Sequence, residues 1–322
     1  MQNAFMKVIF FCLFIIFLSL NLLFASTVND NTSSAYAHFT RASIYEKFNK
    51  LDEAIEEYKE ALKYDYSSVD IHIRLGLVYV KRDRIDEAID EFVVASNLSP
   101  ERMEPHLLLA LLYGAKGDFL KAAKEYEIVL NKASQVEPEN IEIKKALGEV
   151  YFRQGKLDEA LDVYKGIATK APEDKITHFL LGSIYLEKNL LPDAANEFKE
   201  AIRIDPDFHQ ALNSLGFVYI EEGKNFNEAE VLIKKALSFE PKNGAYLDSL
   251  GWLNYKKAQY KEAINILEEA KIFLADPLIF DHLGDAYFKD GQVDKAREAW
   301  LRALELNPNQ IEVKEKINTL EK

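Results

Sequence analysis

Residues 175–208 read KITHFLLGSIYLEKNLLPDAANEFKEAIRIDPDF, and this unit recurs along the chain. Its Leu181-Gly182 pair aligns with Leu75-Gly76, Leu147-Gly148, Leu215-Gly216, Leu250-Gly251 and Leu283-Gly284, while Ala42 and Ala110 take the glycine's place in two further copies. These small residues are spaced 34, 34, 38, 34, 34, 35 and 33 apart, which makes eight copies. A tyrosine follows three places later in most of them, as at Tyr79 and Tyr185. Further on come an alanine and then a large apolar residue, as in Ala88 and Phe92, Ala194 and Phe198, or Ala296 and Trp300.

Two antiparallel helices cross closely only where their side chains are small, so Gly or Ala on the first helix must face Ala on the second. Large residues then fill the space around the crossing. Pro100, Pro172, Pro206, Pro241 and Pro308 close their units, because proline lacks the donor that would continue a helix. Asp52, Asp86 and Asp158 each open an Asp-Glu-Ala run, where the positive end of the second helix favours acids. The spacing predicts helix pairs at 35–68, 69–102, 103–140, 141–174, 175–208, 209–243, 244–276 and 277–310, with a capping helix at 311–322. The 38-residue step predicts a longer turn at 131–140, and Asn254 and Ala275 predict slightly irregular packing in the seventh unit, where tyrosine and proline are usual.

This pattern resembles the tetratricopeptide-repeat (TPR) family. The resemblance implies an all-α, right-handed superhelical solenoid of about eight helix pairs whose concave face binds partner proteins. The segment 246–252, followed by 281–285 and Ala299-Trp300, looks like the C-terminal repeats of bacterial envelope members. The Lys and Asn clamp with which some members grip acidic tails is missing, since the first units carry Phe39, Ser43 and Ile73 instead.

With 40 basic against 53 acidic residues the net charge is -13, which repels a phosphate backbone and argues against nucleic acid as a partner. Cys12 is the sole cysteine, so no disulfide or Cys-ligated zinc can hold the repeats. Lys7 precedes an apolar run, Val8 to Leu18, and Ala25-Ser26 close it. Residues 1–25 are therefore expected to be a signal peptide or an N-terminal membrane anchor, both of which stay open, followed by a polar linker at 26–34. Lys7 before the run places the repeats beyond the membrane, in the periplasm or on the outer face of the inner membrane, with membrane contact through this segment only.

Helical spacing selects the outward positions of each first helix as a partner-binding groove: Phe152, Phe179, Asn213, Phe217, Ile220, Asp248, Trp252, Tyr255, Asp285 and Phe288. An apolar, aromatic surface rimmed by mixed charge suits an extended or helical segment of a protein or peptide. The expected function is an exported interaction scaffold serving assembly of a cell-envelope complex. The alternative is a polysaccharide-binding or export component whose Trp252 and Tyr255 stack on sugar rings. No phosphate loop, HExxH, GxSxG or CxxC occurs, so neither an enzyme nor a cofactor is expected. His38, His72, His106 and His178 share one place in four units and mimic a metal array. Equivalent places on neighbouring helices lie about 8–10 Å apart, and no Cys or carboxylate is expected to recur beside them, so packing with local hydrogen bonding is expected instead.

Overall fold

The computed structural model describes residues 30–320, so the expected leader lies outside the described residues. No helix among the described residues is long and apolar enough to cross a membrane. The chain divides into two compact units, 1–163 and 164–322.

In the first unit α1 (Asp30–Lys47) pairs with α2 (Leu51–Tyr64), α3 (Val69–Lys81) with α4 (Ile85–Leu98) and α5 (Met103–Ala115) with α6 (Phe119–Val136). Next come α7 (Ile141–Arg153) and the start of α8 (Leu157–Lys170), which carries the boundary. In the second unit α9 (Lys175–Glu187) pairs with α10 (Leu191–Ile204), α11 (His209–Glu221) with α12 (Phe226–Phe239), α13 (Gly244–Lys256) with α14 (Tyr260–Phe273) and α15 (Pro277–Lys289) with α16 (Val293–Leu306). The short α17 (Ile311–Thr319) closes it. The described residues form no strand. The sequence-predicted all-α architecture of helix pairs with a C-terminal cap is present.

The unit quoted at the outset shows why these residues fold so. Asp174 caps α9 by accepting from the Ile176 amide, and its other oxygen accepts from the Thr177 hydroxyl. Asn189 then takes a left-handed φ of 56°, and the Leu190 amide reaches back to the Tyr185 carbonyl at 2.8 Å. In α10, Pro192 and Asp193 suit a helix start, and Ala194, Ala195, Phe198 and Ala201 form the buried face. The helix stops where Pro206 has no amide to give.

The left-handed residue recurs between the two helices of each pair, at Asn49, Asp83, Gly117, Gly155, Asn189, Gly223, Ala258 and Gly291. Asn225 is a second one in its turn. Because the bond at this turn is accepted by a backbone carbonyl, Asn254 replaces tyrosine without disturbing it, and the Gln259 amide bonds the Asn254 carbonyl at 2.9 Å. The expected irregularity of the seventh unit is absent in this respect: α13 and α14 have 13 and 14 residues, the lengths of the other second-unit pairs. Pro277 starts α15 instead of ending the previous turn.

Two boundaries need correction. The extra residues at 131–140 do not form a longer turn; they lengthen α6 to 18 residues, because Val129, Leu130 and Ala133 are buried and no breaker comes before Pro138. The expected linker at 26–34 overlaps α1, which begins at Asp30 and brings Ala35 into the core.

At Gly76, Gly182, Gly216, Gly251 and Gly284 the crossing leaves no room for a side chain. A Cβ on Gly76 would sit 2.4 Å from the Phe92 ring, one on Gly182 2.6 Å from Phe198, and one on Gly284 2.4 Å from the Trp300 indole. Phe92 and Phe198 are completely buried there, each worth about 1.5–3 kcal/mol against exposure. In the second unit Val313 and Ile317 of α17 join Leu283, Tyr287 and Trp300, so the cap covers an apolar face that the last pair would leave wet.

Gly284→Ala is expected to lower stability by about 1–3 kcal/mol, since the rigid indole must shift; denaturant titration with Trp fluorescence reads it. Ala258→Gly should act in the opposite sense, raising stability by about 1 kcal/mol through relief of the left-handed strain, read as a higher thermal midpoint.

Candidate functional site

In the second unit the first helices, α9, α11, α13 and α15, carry nine of the ten expected groove residues. Phe152 lies half-buried on α7 in the first unit. Phe179, Phe217 and Tyr255 are half-buried, and Phe288 is 41% exposed. Phe179 meets Phe208 edge-on at 5.3 Å, and Phe288 tilts against Trp300 at 5.7 Å. The rings are thus anchored below and open above.

Ile220 is not a groove residue. It is 0% exposed and packs with Ile233 and Leu253, because the end of α11 turns that position inward. Asp248 is also buried, where its carboxylate takes a hydrogen bond from His282 Nδ1 at 2.9 Å. Trp252 is 9% exposed and sandwiched, with His282 at 4.0 Å and 10° on one side and Tyr255 at 4.6 Å and 5° on the other. Its Nε1 donates to Glu221 at 2.7 Å, and the Lys256 ammonium lies 4.7 Å from the ring centre. A sugar platform needs an open aromatic face, so Trp252 cannot serve as one.

Asp285 accepts from Trp300 Nε1 at 3.2 Å and, with Asp281, from Lys316 of the cap. Burial raises the Asp281 carboxyl above its usual range, against the pull of Lys316. Burial pulls the Lys316 ammonium down, and the two carboxylates more than restore it. Burial, with Asp285 nearby, pushes the Tyr255 hydroxyl up to about 12, so it stays protonated and can donate. Asn213 is half-buried, and its Oδ1 is enclosed without a partner. Sequence spacing located the face but missed Glu221, His282 and Lys316, which organise it. Their signal was present: His282 directly follows Asp281, and Lys316 falls 35 residues beyond Asp281, one repeat on.

The histidine row does not assemble a metal site. Each Nδ1 instead meets the glutamate 19 residues on: His38 with Glu57, His72 with Glu91, His106 with Glu125 and His178 with Glu197, all at 2.6–2.7 Å. A carboxylate therefore does recur beside the histidines, from the second helix of each pair, where sequence proximity could not show it. No group of three or more His, Cys, Asp or Glu able to hold a metal occurs among the described residues.

The helix pairs and glycine crossings define a helical repeat protein, and the chain belongs to the tetratricopeptide-repeat family. Repeat models match residues 42–83 and 172–223 (TPR repeat), and 107–175 and 277–310 (tetratricopeptide repeat). A TPR repeat-containing protein of Pseudomonas aeruginosa is 28% identical over 52% of this chain and 31% of its own length. The human protein O-mannosyl-transferase TMTC2 is 32% identical over 30% of this chain and 12% of its own length. The chain thus matches less than a third of either relative. A tetratricopeptide repeat protein from Parabacteroides merdae shares the fold, with a TM-score of 0.61 and 16% identity over 78% of this chain and 97% of that one.

Removing the ring of His282 leaves Asp248 buried without its donor. His282→Leu is expected to cost about 1–3 kcal/mol in stability and to shift the Trp252 emission, as read by denaturation and fluorescence.

Proposed function

We propose that this protein is an exported scaffold that holds an extended or helical segment of a protein partner on the first-helix face of its second unit. Proteins of this family act as protein-interaction scaffolds. The observation that carries the reading is the line of half-open aromatics, Phe179, Phe217, Tyr255 and Phe288, set in a charge network whose members already have partners inside the unit. Such a surface loses little side-chain freedom on binding, which favours affinity. Apolar anchors beside satisfied polar groups suit a protein segment better than a polyanion.

The apolar run after Lys7 supports export, with the repeats acting in the periplasm or on the outer face of the inner membrane, in assembly of an envelope complex.

Full-length protein used as bait in envelope extracts should retain a protein that the Phe217→Ala, Tyr255→Ala, Phe288→Ala variant loses, with affinity reduced at least roughly a hundredfold. Unchanged helical circular dichroism must accompany the loss. Retention of the same partner by the variant would place the binding face elsewhere. Protease treatment of spheroplasts tests the location: repeats degraded from outside support export, and repeats protected until lysis oppose it.

A further inference from the structure

His178 is bracketed by two acceptors. Its Nδ1 lies 2.6 Å from the Glu197 carboxylate on α10, and its Nε2 lies 2.9 Å from the Pro172 carbonyl in the turn that precedes α9. A carboxylate and a carbonyl can only accept, and a neutral imidazole carries a single N–H, so both bonds form only when both ring nitrogens are protonated. With one proton gone, a lone pair faces an acceptor at one of the two contacts.

We propose that His178 is a proton-operated clip that fastens the junction between the fourth and fifth repeats, closed as the imidazolium and open as the neutral ring. One side chain then joins three parts of the second unit: the 171–174 turn, α9 and α10. The neighbouring residue, Phe179, meets Phe208 edge-on at 5.3 Å.

The surrounding charges favour the closed form. Glu197 and Glu200 of α10 both act on the ring, and from the turn it receives the Pro172 carbonyl. Glu173 in that turn is engaged by Arg203 at 2.9 Å, which also holds Glu200 at 2.8 Å, and Lys175 of α9 pairs with Asp205. Burial opposes the charged ring, yet the bonds to Glu197 and Pro172 outweigh it and hold the imidazole above its ordinary value. A raised value in the folded state means that the clip's contribution to stability is complete below the ordinary imidazole range, and it is lost as pH rises through the raised one.

Comparison within the chain separates the clip from ordinary packing. His72 meets the same two kinds of acceptor, Glu91 at 2.6 Å and the Tyr66 carbonyl at 2.9 Å, across the junction of the first and second repeats. The Nε2 of His106 has no partner, and His38 Nδ1 lies 2.7 Å from an Arg41 guanidinium nitrogen, so neither has the double-acceptor setting. At the place of His178 in the next repeat stands the apolar Leu212.

The test uses the full chain labelled with nitrogen-15 histidine. Imidazole spectra should show both His178 nitrogens protonated at neutral pH, with a titration midpoint above that of free histidine; in Glu197→Gln the midpoint should fall to the free value or below. Amide exchange at residues 173–178, corrected for intrinsic base catalysis, should rise at least roughly tenfold between mildly acidic and mildly alkaline buffer in the wild type. His178→Leu, which copies Leu212, should abolish that pH dependence. A neutral His178 ring at neutral pH, an unmoved midpoint in Glu197→Gln, or an equal exchange gain in His178→Leu would each overturn the proposal. The first two readings stand even if the leucine variant fails to fold.

Discussion

Everything in both units follows from how closely two helices can cross. At Gly182 or Gly284 the first helix comes so near the second that an added methyl would overlap Phe198 or Trp300. That approach fixes the rotation of the helix about its axis, because only the glycine side fits against the partner. Once the rotation is fixed, the positions one and two residues beyond the glycine are assigned their sides. Ile184 goes to the core, while Asp285, one place after Gly284, goes to the outer face and meets Lys316. The outer face is thus a by-product of the packing constraint.

The outer face of the second unit carries more charge than an apolar groove requires, and little of it is idle. Glu221 holds the indole nitrogen of Trp252, Asp248 holds His282, and Asp281 and Asp285 hold a lysine from the cap. These links run between successive repeats, so they set the position of one first helix against the next. Buried polar groups left unpaired would be costly, whereas paired ones confine the rings to a single arrangement. The cap therefore covers the apolar end through Val313 and Ile317 and also supplies the cation that completes the acid pair.

The histidines illustrate how a periodic signal acquires its meaning. Regular spacing of a metal-ligating residue suggests a shared ion, but a repeat protein gives every such residue its own local surroundings. The surroundings differ in detail, and the differences decide the chemistry: two acceptors around His72 and His178, one around His106, and a guanidinium beside His38.

The sequence by itself determined the repeat length, the pairing of helices and the residues at each crossing, because those rest on local rules: small residues where helices touch, acids where second helices start, prolines where units close. It also located the outward face, since helical periodicity places Phe217, Tyr255 and Phe288 on one side. The tertiary structure alone decided which of those residues are available. Ile220 satisfies the same periodicity and is fully buried, and Trp252 satisfies it but has both faces covered by rings from its own helix and the next. Residues 131–136 read as loop by comparison with a shorter repeat, yet they extend α6 because Ala133 finds a buried place. In each case the deciding contact joins residues that sequence spacing does not reveal as neighbours, so its energy enters only once the helices have packed.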